Sequence, residues 1–242
     1  MSDFDTDSAA AQAAHAEWRR WRNASVVAPQ GNLALIETRW YDPGAEIPPA
    51  DLEEAAGGTI SVTTLSRTDL DTGLPQQGLR RWDSASEAIR AFEGIDCYEY
   101  DAAWVVSGFY EPGEAGRTVA FEHLRDNGRT RDLAVPGVIT ATIGGTEYRL
   151  NAFDDGGVLL LVFGDPTNGI ESYASGRFLF VERAPEDFGS AGPVTLDFNR
   201  AFVPPCGFST QYNCPLPPAS NRIAAPVRAG ERVPRFAASF AH

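Results

Sequence analysis

Seven side chains with the chemistry to bind or transfer a proton crowd into one stretch near the end of this chain. Asp197, Asn199 and Arg200 lie in DFNR, and Asn221 and Arg222 lie in ASNR. Arg228 and Glu231 follow in VRAGER, while Tyr173 and Arg177 stand just upstream in SYASGR. Arginine offers a planar fork that matches a carboxylate or phosphate, so Arg177, Arg200, Arg222 and Arg228 predict an anion-accepting site. If VTLDF is a strand, Asp197 and Asn199 share one face, with Arg177 placed opposite them by the preceding strand. Asp197, Glu231 and Tyr173 are the groups available for acid–base work. That set would support metal-independent chemistry of the hydrolytic or proton-transfer kind.

A structural alternative stands beside this and is favoured for any single arginine taken alone and for Asp197, whereas ligand contact is favoured for Asn199 and for Arg177 within the group. Any one arginine can pair locally with Asp197, Glu182 or Glu231, and DFN can be a hydrogen-bond network that pins a loop. The charge distribution favours a site for the group as a whole. Residues 173 to 242 hold seven Arg against five acids, although the chain carries a net charge of -13. All twenty basic residues are Arg. An acidic surface of this kind repels phosphate backbones and anionic membranes, so neither nucleic acid nor a membrane surface is an expected partner. A small polar or anionic metabolite is, and a homodimer stays open.

Cys206 and Cys214 are each flanked by proline, in PPC and CPLPP. Proline fixes φ and keeps its predecessor extended, which stiffens the segment between them into an Ω-like loop. The two thiols are read as a structural or redox pair, with a structural role ahead. Cys97 is read as a packing residue. Three His at 15, 123 and 242 form no metal-binding spacing, so no metal and no cofactor is expected. Asp165 and Asn168 in GDPTNG make an ordinary turn, not a calcium loop. GxSxG, GxGxxG and GxxxxGK[ST] are all missing.

The elements that must position these residues read as β. GVITATIGGTEYRLNAF is a hairpin turning at Gly144 and Gly145. VLLLVF is apolar on both faces, and GRFLFV and VTLDF complete five strands too closely spaced for crossover helices. Neighbours so linked are antiparallel. The fold class expected is mainly β, an antiparallel sandwich or barrel. It carries an N-terminal helix, one short internal helix, and a long ordered Pro-rich C-terminal loop. The N-terminal helix begins at Ser8, after a disordered start, and docks Trp18 and Trp21. The internal helix spans 84 to 92, capped by Ser84 with Glu87. Residues 1–23 hold the start and docking helix, and 24–242 form a single mainly β domain, with a possible subdivision near 115–135. The acidic N-terminus has no basic or apolar signal-like segment, so the cytoplasm is the expected compartment.

The run GRFLFV…VTLDFNRAFVPPCGF…CPLPPASNRI…RAGER is similar to the hallmark series of a bacterial and archaeal family, domain of unknown function 1684. The resemblance rests on Tyr173, Gly176, Arg177, Asp197–Arg200, Pro204–Cys206, Cys214, Pro215, Pro217, Pro218, Asn221, Gly230 and Glu231. It covers residues 80 to 232 and the first 80 only loosely. Phe202-Val203 stands where the family has Tyr-Asn, so any contact made by that hydroxyl and amide is absent or replaced. The resemblance implies no activity, only that this block is what members share. Two functions follow as expectations. The first is a small-molecule-binding protein or metal-independent enzyme with an Arg/Asn/Asp-lined pocket under the Pro-rich loop. The alternative is a non-catalytic structural or protein-interaction module in which the motif is purely structural.

Overall fold

Gly144 and Gly145 take φ of 57° and 81°, the double left-handed turn that a tight hairpin needs, and they join two strands of a largely antiparallel structure. The computed structural model describes residues 3–53, 58–126 and 130–240. In chain order, the first part is α1 (Asp3–Val26), β1 (Leu35–Trp40), β2 (Ile60–Thr68), β3 (Pro75–Asp83), α2 (Glu87–Ala91) and β4 (Phe92–Cys97). The second part begins with β5 (Val105–Pro112), β6 (Thr118–Glu122), β7 (Thr130–Ala134), β8 (Gly137–Ile143) and β9 (Thr146–Asp154). It ends with β10 (Leu159–Phe163), β11 (Arg177–Val181), β12 (Gly192–Asp197) and β13 (Glu231–Phe236).

The chain divides into two compact units. One comprises Met1–Arg19, Ile95–Pro204 and Asn213–Val233; the other comprises Arg20–Gly94, Pro205–Tyr212 and Pro234–His242. The sequence shows no linker because the chain passes between the units several times, inside continuous elements such as α1 and β4. One crossing falls between Arg19 and Arg20, within α1, and another between Gly94 and Ile95, within β4.

The first unit holds a six-stranded sheet in the order β11-β10-β9-β8-β5-β12. It curls so that β11 approaches β12, giving a half-barrel. Its concave side is filled by Tyr110, Ile139, Leu150, Leu161, Leu179 and Leu196, which alternate along their strands with residues of the other face. β10 is buried at every position, as its continuous apolar run predicts. The β6–β7 hairpin lies against β9, with Phe121 meeting Phe153 edge to face at 4.1 Å. The second unit is built on the sheet β1-β3-β2.

Some local expectations are corrected. α1 starts at Asp3, so Ser8 is not its cap. Its inward stripe runs through His15, Trp18, Arg22 and Val26, the i, i+3/i+4 repeat of one helical face. Trp21 falls off that stripe and is 60% exposed, so only Trp18 docks. α2 begins later than read, because Ser86, not Ser84, accepts from the Ile89 amide and fixes the first turn. β11 and β12 are not ladder partners: β12 pairs with β5, which carries Asp197 away from the strand of Arg177.

Candidate functional site

Arg177 opens β11 opposite Phe163 in the register, and it shares the inward face with Leu179 and Val181. An arginine on that face must lie inside the half-barrel, and its side chain is 0% exposed. Gly176 makes the approach possible. It has φ of 91°, and a Cβ there would sit 2.4 Å from Pro217 Cγ and 2.7 Å from the Phe163 carbonyl oxygen.

The guanidinium lies between the Phe163 and Tyr98 rings, 5.3 and 5.9 Å from their centroids. Nη2 donates to Asp165 Oδ2 at 2.7 Å and to the Val227 carbonyl at 2.6 Å. Nη1 donates to the Ala229 and Glu231 carbonyls. Nε is buried without an acceptor. The Asp165 carboxylate is equally enclosed, with Oδ1 accepting from the Thr167 and Val227 amides. The "ordinary turn" GDPTNG thus supplies the counter-ion for a buried arginine. Its charge and that of Arg177 neutralise each other where neither could be left alone.

The remaining motif residues repeat this inward use of polar groups. Asn221 is fully buried and imitates a peptide group. Its Oδ1 accepts from Asn151 N at 2.8 Å, and Nδ2 donates to the Asn151 and Val162 carbonyls at 2.9 and 3.0 Å. It splices the C-terminal segment onto β9 and β10, next to a parallel bridge between Gly164 and Arg222. Asn199 does the same for residue 101. Its side chain exchanges two hydrogen bonds of 3.0 Å with the Asp101 backbone and donates to Asp197 Oδ1. Its own carbonyl accepts from His15 Nε2 at 3.0 Å, which fixes the tautomer of that buried ring. Burial lowers the His15 pKa. Glu231 is 0% exposed, and Oε2 accepts from the Val203 amide at 2.8 Å. The donor is the backbone N–H of residue 203, so a valine side chain there leaves this link intact.

Two of the exposed candidates carry carboxylate partners. Arg200 lies 3.4 Å from Asp197 and 3.7 Å from Glu182. Arg228 binds Glu171 through Nε and Nη2, and this contact holds the Glu171 carboxyl below the usual range. Arg222 is exposed, and Tyr173 is half-buried with its amide donating to the Arg232 carbonyl. Cys206 and Cys214 are buried thiols and Cys97 is a half-buried one, and none of the three is in a disulfide. Asp197 and Glu231 are thus each engaged by amides or Arg200; Arg177, Arg200 and Arg228 are held in separate ion pairs, while the exposed Arg222 has no side-chain partner among the described residues.

At the opposite end of the half-barrel lies a cleft that sequence reading missed. The register places Pro112, Gly137, Asp154 and Val181 at this end, away from Phe163 and Arg177. The cleft measures 460 Å³ and is walled by the 112–117 turn, Asp154, and Phe188–Gly189 of the β11–β12 connection. Its rim is preformed. The fully buried Tyr110 donates its hydroxyl to the Phe188 carbonyl at 2.9 Å. Arg183 stacks 4.6 Å from the Tyr110 ring and donates to the Asp187 and Ser190 carbonyls. Gly137 is required there, because a Cβ would meet the Tyr110 ring at 2.4 Å. Half-buried Arg117 lines this wall, and among the described residues its side chain donates to the neutral Asn151 Oδ1 alone, at 3.2 Å. One arginine in an ordinary PGEAGR turn carries no sequence signal. Its significance comes from the strand ends that surround it.

Among the described residues, no helix is long and apolar enough to cross a membrane. No curated protein matches the chain. A similar solved structure is the solution NMR structure of the uncharacterized protein from gene locus rrnAC0354 of Haloarcula marismortui. It is 31% identical over 59% of this chain and 77% of that one, with a TM-score of 0.49. The family described as "Protein of unknown function (DUF1684)" matches residues 90–232, which span β5 to β12 and every motif residue from Tyr173 to Glu231. The chain belongs to that family.

Proposed function

We propose that this chain is a non-catalytic, small-molecule-binding half-barrel whose C-terminal motif locks one end and whose ligand sits in the cleft at the other. What supports the reading is the contrast between the two ends. At the motif end, Arg177 has Asp165 and Arg228 has Glu171, and the Asn side chains are saturated by backbone. At the other end, Arg117 has no carboxylate partner, although Glu114 and Asp154 line the same cleft. Charged groups left unmatched around a preformed concavity are what a ligand would complete. In this reading the anion-accepting role expected of Arg177, Arg200, Arg222 and Arg228 passes to Arg117.

The test is a thermal-shift screen against small anions, amines and amphoteric metabolites. A ligand at a hundred times its dissociation constant adds about 2.7 kcal/mol. The expected shift disappears in Arg117→Ala and survives in Arg228→Ala. The reverse pattern would return the site to the C-terminal loop.

A second reading, a protein-interaction module, has the exposed Trp21 in its favour. It predicts a homodimer by light scattering that Trp21→Arg dissociates.

A further inference from the structure

We infer that the cleft between the 112–117 turn and the β11–β12 connection takes a small amphoteric molecule, one carboxylate and one ammonium on a short carbon frame, as in a free α-amino acid. Arg117 anchors the carboxylate, and Glu114 and Asp154 receive the ammonium. The inference deepens the binding reading above and rests on it.

Three observations carry it. The first is that both signs of charge face the same space without neutralising each other. Arg117 makes its one side-chain hydrogen bond to Asn151, and neither Glu114 nor Asp154 forms an ion pair among the described residues. Asp154 uses Oδ1 to accept from the Gly157 amide at 2.7 Å, which leaves Oδ2 for another donor. Other arginines, by contrast, have carboxylate partners: Arg39 pairs with Glu37, Arg131 with Asp126, and Arg149 with Glu111.

The second is selectivity. A simple anion satisfies Arg117 but meets two carboxylates, and a simple cation meets the reverse fault. A molecule with one group of each sign satisfies both walls, and rejection of the other two classes is built in.

The third is size and wall texture. At 460 Å³ the cleft lies in the lower half of the roughly 300–1,000 Å³ range of ligand sites. Gly113, Ala115, Gly116 and Gly189 present little beyond backbone, so a small frame can come close, while Phe188 offers an apolar surface for its carbon atoms. Nothing in the inference requires a reaction.

The three glycines also make the test direct. Uniformly ¹⁵N-labelled protein is titrated with the common amino acids, and the amide signals of Gly113, Gly116 and Gly189 are followed. The best binder is then compared with its deaminated carboxylate and its decarboxylated amine. The expected result is saturable shifts of these three signals, with each analogue at least about tenfold weaker, the loss typical of one charge-assisted contact. Arg117→Gln lowers the affinity by a similar factor while the spectrum stays dispersed. The double variant Glu114→Gln/Asp154→Asn weakens the amino acid and strengthens the carboxylate analogue. If the carboxylate or the amine alone binds at these glycines as tightly as the amino acid, the amphoteric class is overturned and the binding site stands. If no member of the three classes moves them, both the class and the binding reading fall.

Discussion

Replacing Arg177 by methionine, which roughly keeps its volume, removes the one cation inside the motif end of the half-barrel. Asp165 is then left with a side chain that is 0% exposed and no counter-ion. Breaking a buried pair from one side costs about 3–5 kcal/mol. The Val227, Ala229 and Glu231 carbonyls lose their donor as well. At roughly 1 kcal/mol for each of these three buried groups left unmatched, the total reaches about 6–8 kcal/mol. A whole domain has only about 5–15 kcal/mol of stability, so Arg177→Met should be at the edge of folding. Arg177→Lys keeps the charge but loses the fork, and it should cost about half as much. Urea unfolding followed by tryptophan fluorescence and circular dichroism measures both. The double variant Asp165→Asn/Arg177→Met should be at least about 2 kcal/mol more stable than additivity predicts, because the stranded carboxylate is gone. If Arg177→Met and Arg177→Lys each cost less than about 1 kcal/mol, the lock is not built as described. The motif's arginine would then be held for another purpose.

Gly230 has φ of 76°, and a Cβ there would lie 2.4 Å from the Ala201 carbonyl oxygen. Gly230→Ala should therefore cost more than about 2 kcal/mol, which differential scanning calorimetry would register as a lower Tm. His15 and His123 have pKa values lowered from 6.5, in both cases chiefly by burial. The unfolded chain thus takes up protons first as pH falls. The contribution of these rings to stability is complete above pH 6.5 and is lost as pH drops through 6.5 toward their lowered folded values. Urea midpoints measured between pH 7.5 and 5 should decline, and His15→Asn/His123→Asn should flatten the decline. Carboxylates such as Glu171 act only below that window, since their unfolded pKa lies near 4.5.

The strands were legible because their signals are local. The Gly144-Gly145 turn and the doubly apolar VLLLVF stand in the structure as they read in the sequence. The motif was legible as a place but not as a role. Residue type cannot say whether Arg177 points into the half-barrel or out of it; that depends on its register against Phe163 and on Gly176 closing over it. The same polar groups that suggest a pocket can face inward and replace peptide hydrogen bonds, as Asn199 and Asn221 do. The pairing of β12 with β5, not with β11, follows from how the sheet curls, which no single strand encodes. Arg117 and Asp154 were missed because residues separated by two strands and a hairpin become neighbours only once the sheet exists.

The lock also bears on the order in which the chain can fold. Each hydrogen bond from Arg177 to the C-terminal segment closes a loop of 50 to 54 residues, and those of Asn221 to Asn151 close loops of 70. During synthesis, the strands from β8 to β11 are complete long before Asn221 and Glu231 leave the ribosome. Until then a buried-type arginine and aspartate face an unsealed apolar interior. The contacts that seal this end of the half-barrel therefore belong to the last-made part of the family motif, and a chain shortened before Asn221 is expected to leave that end open.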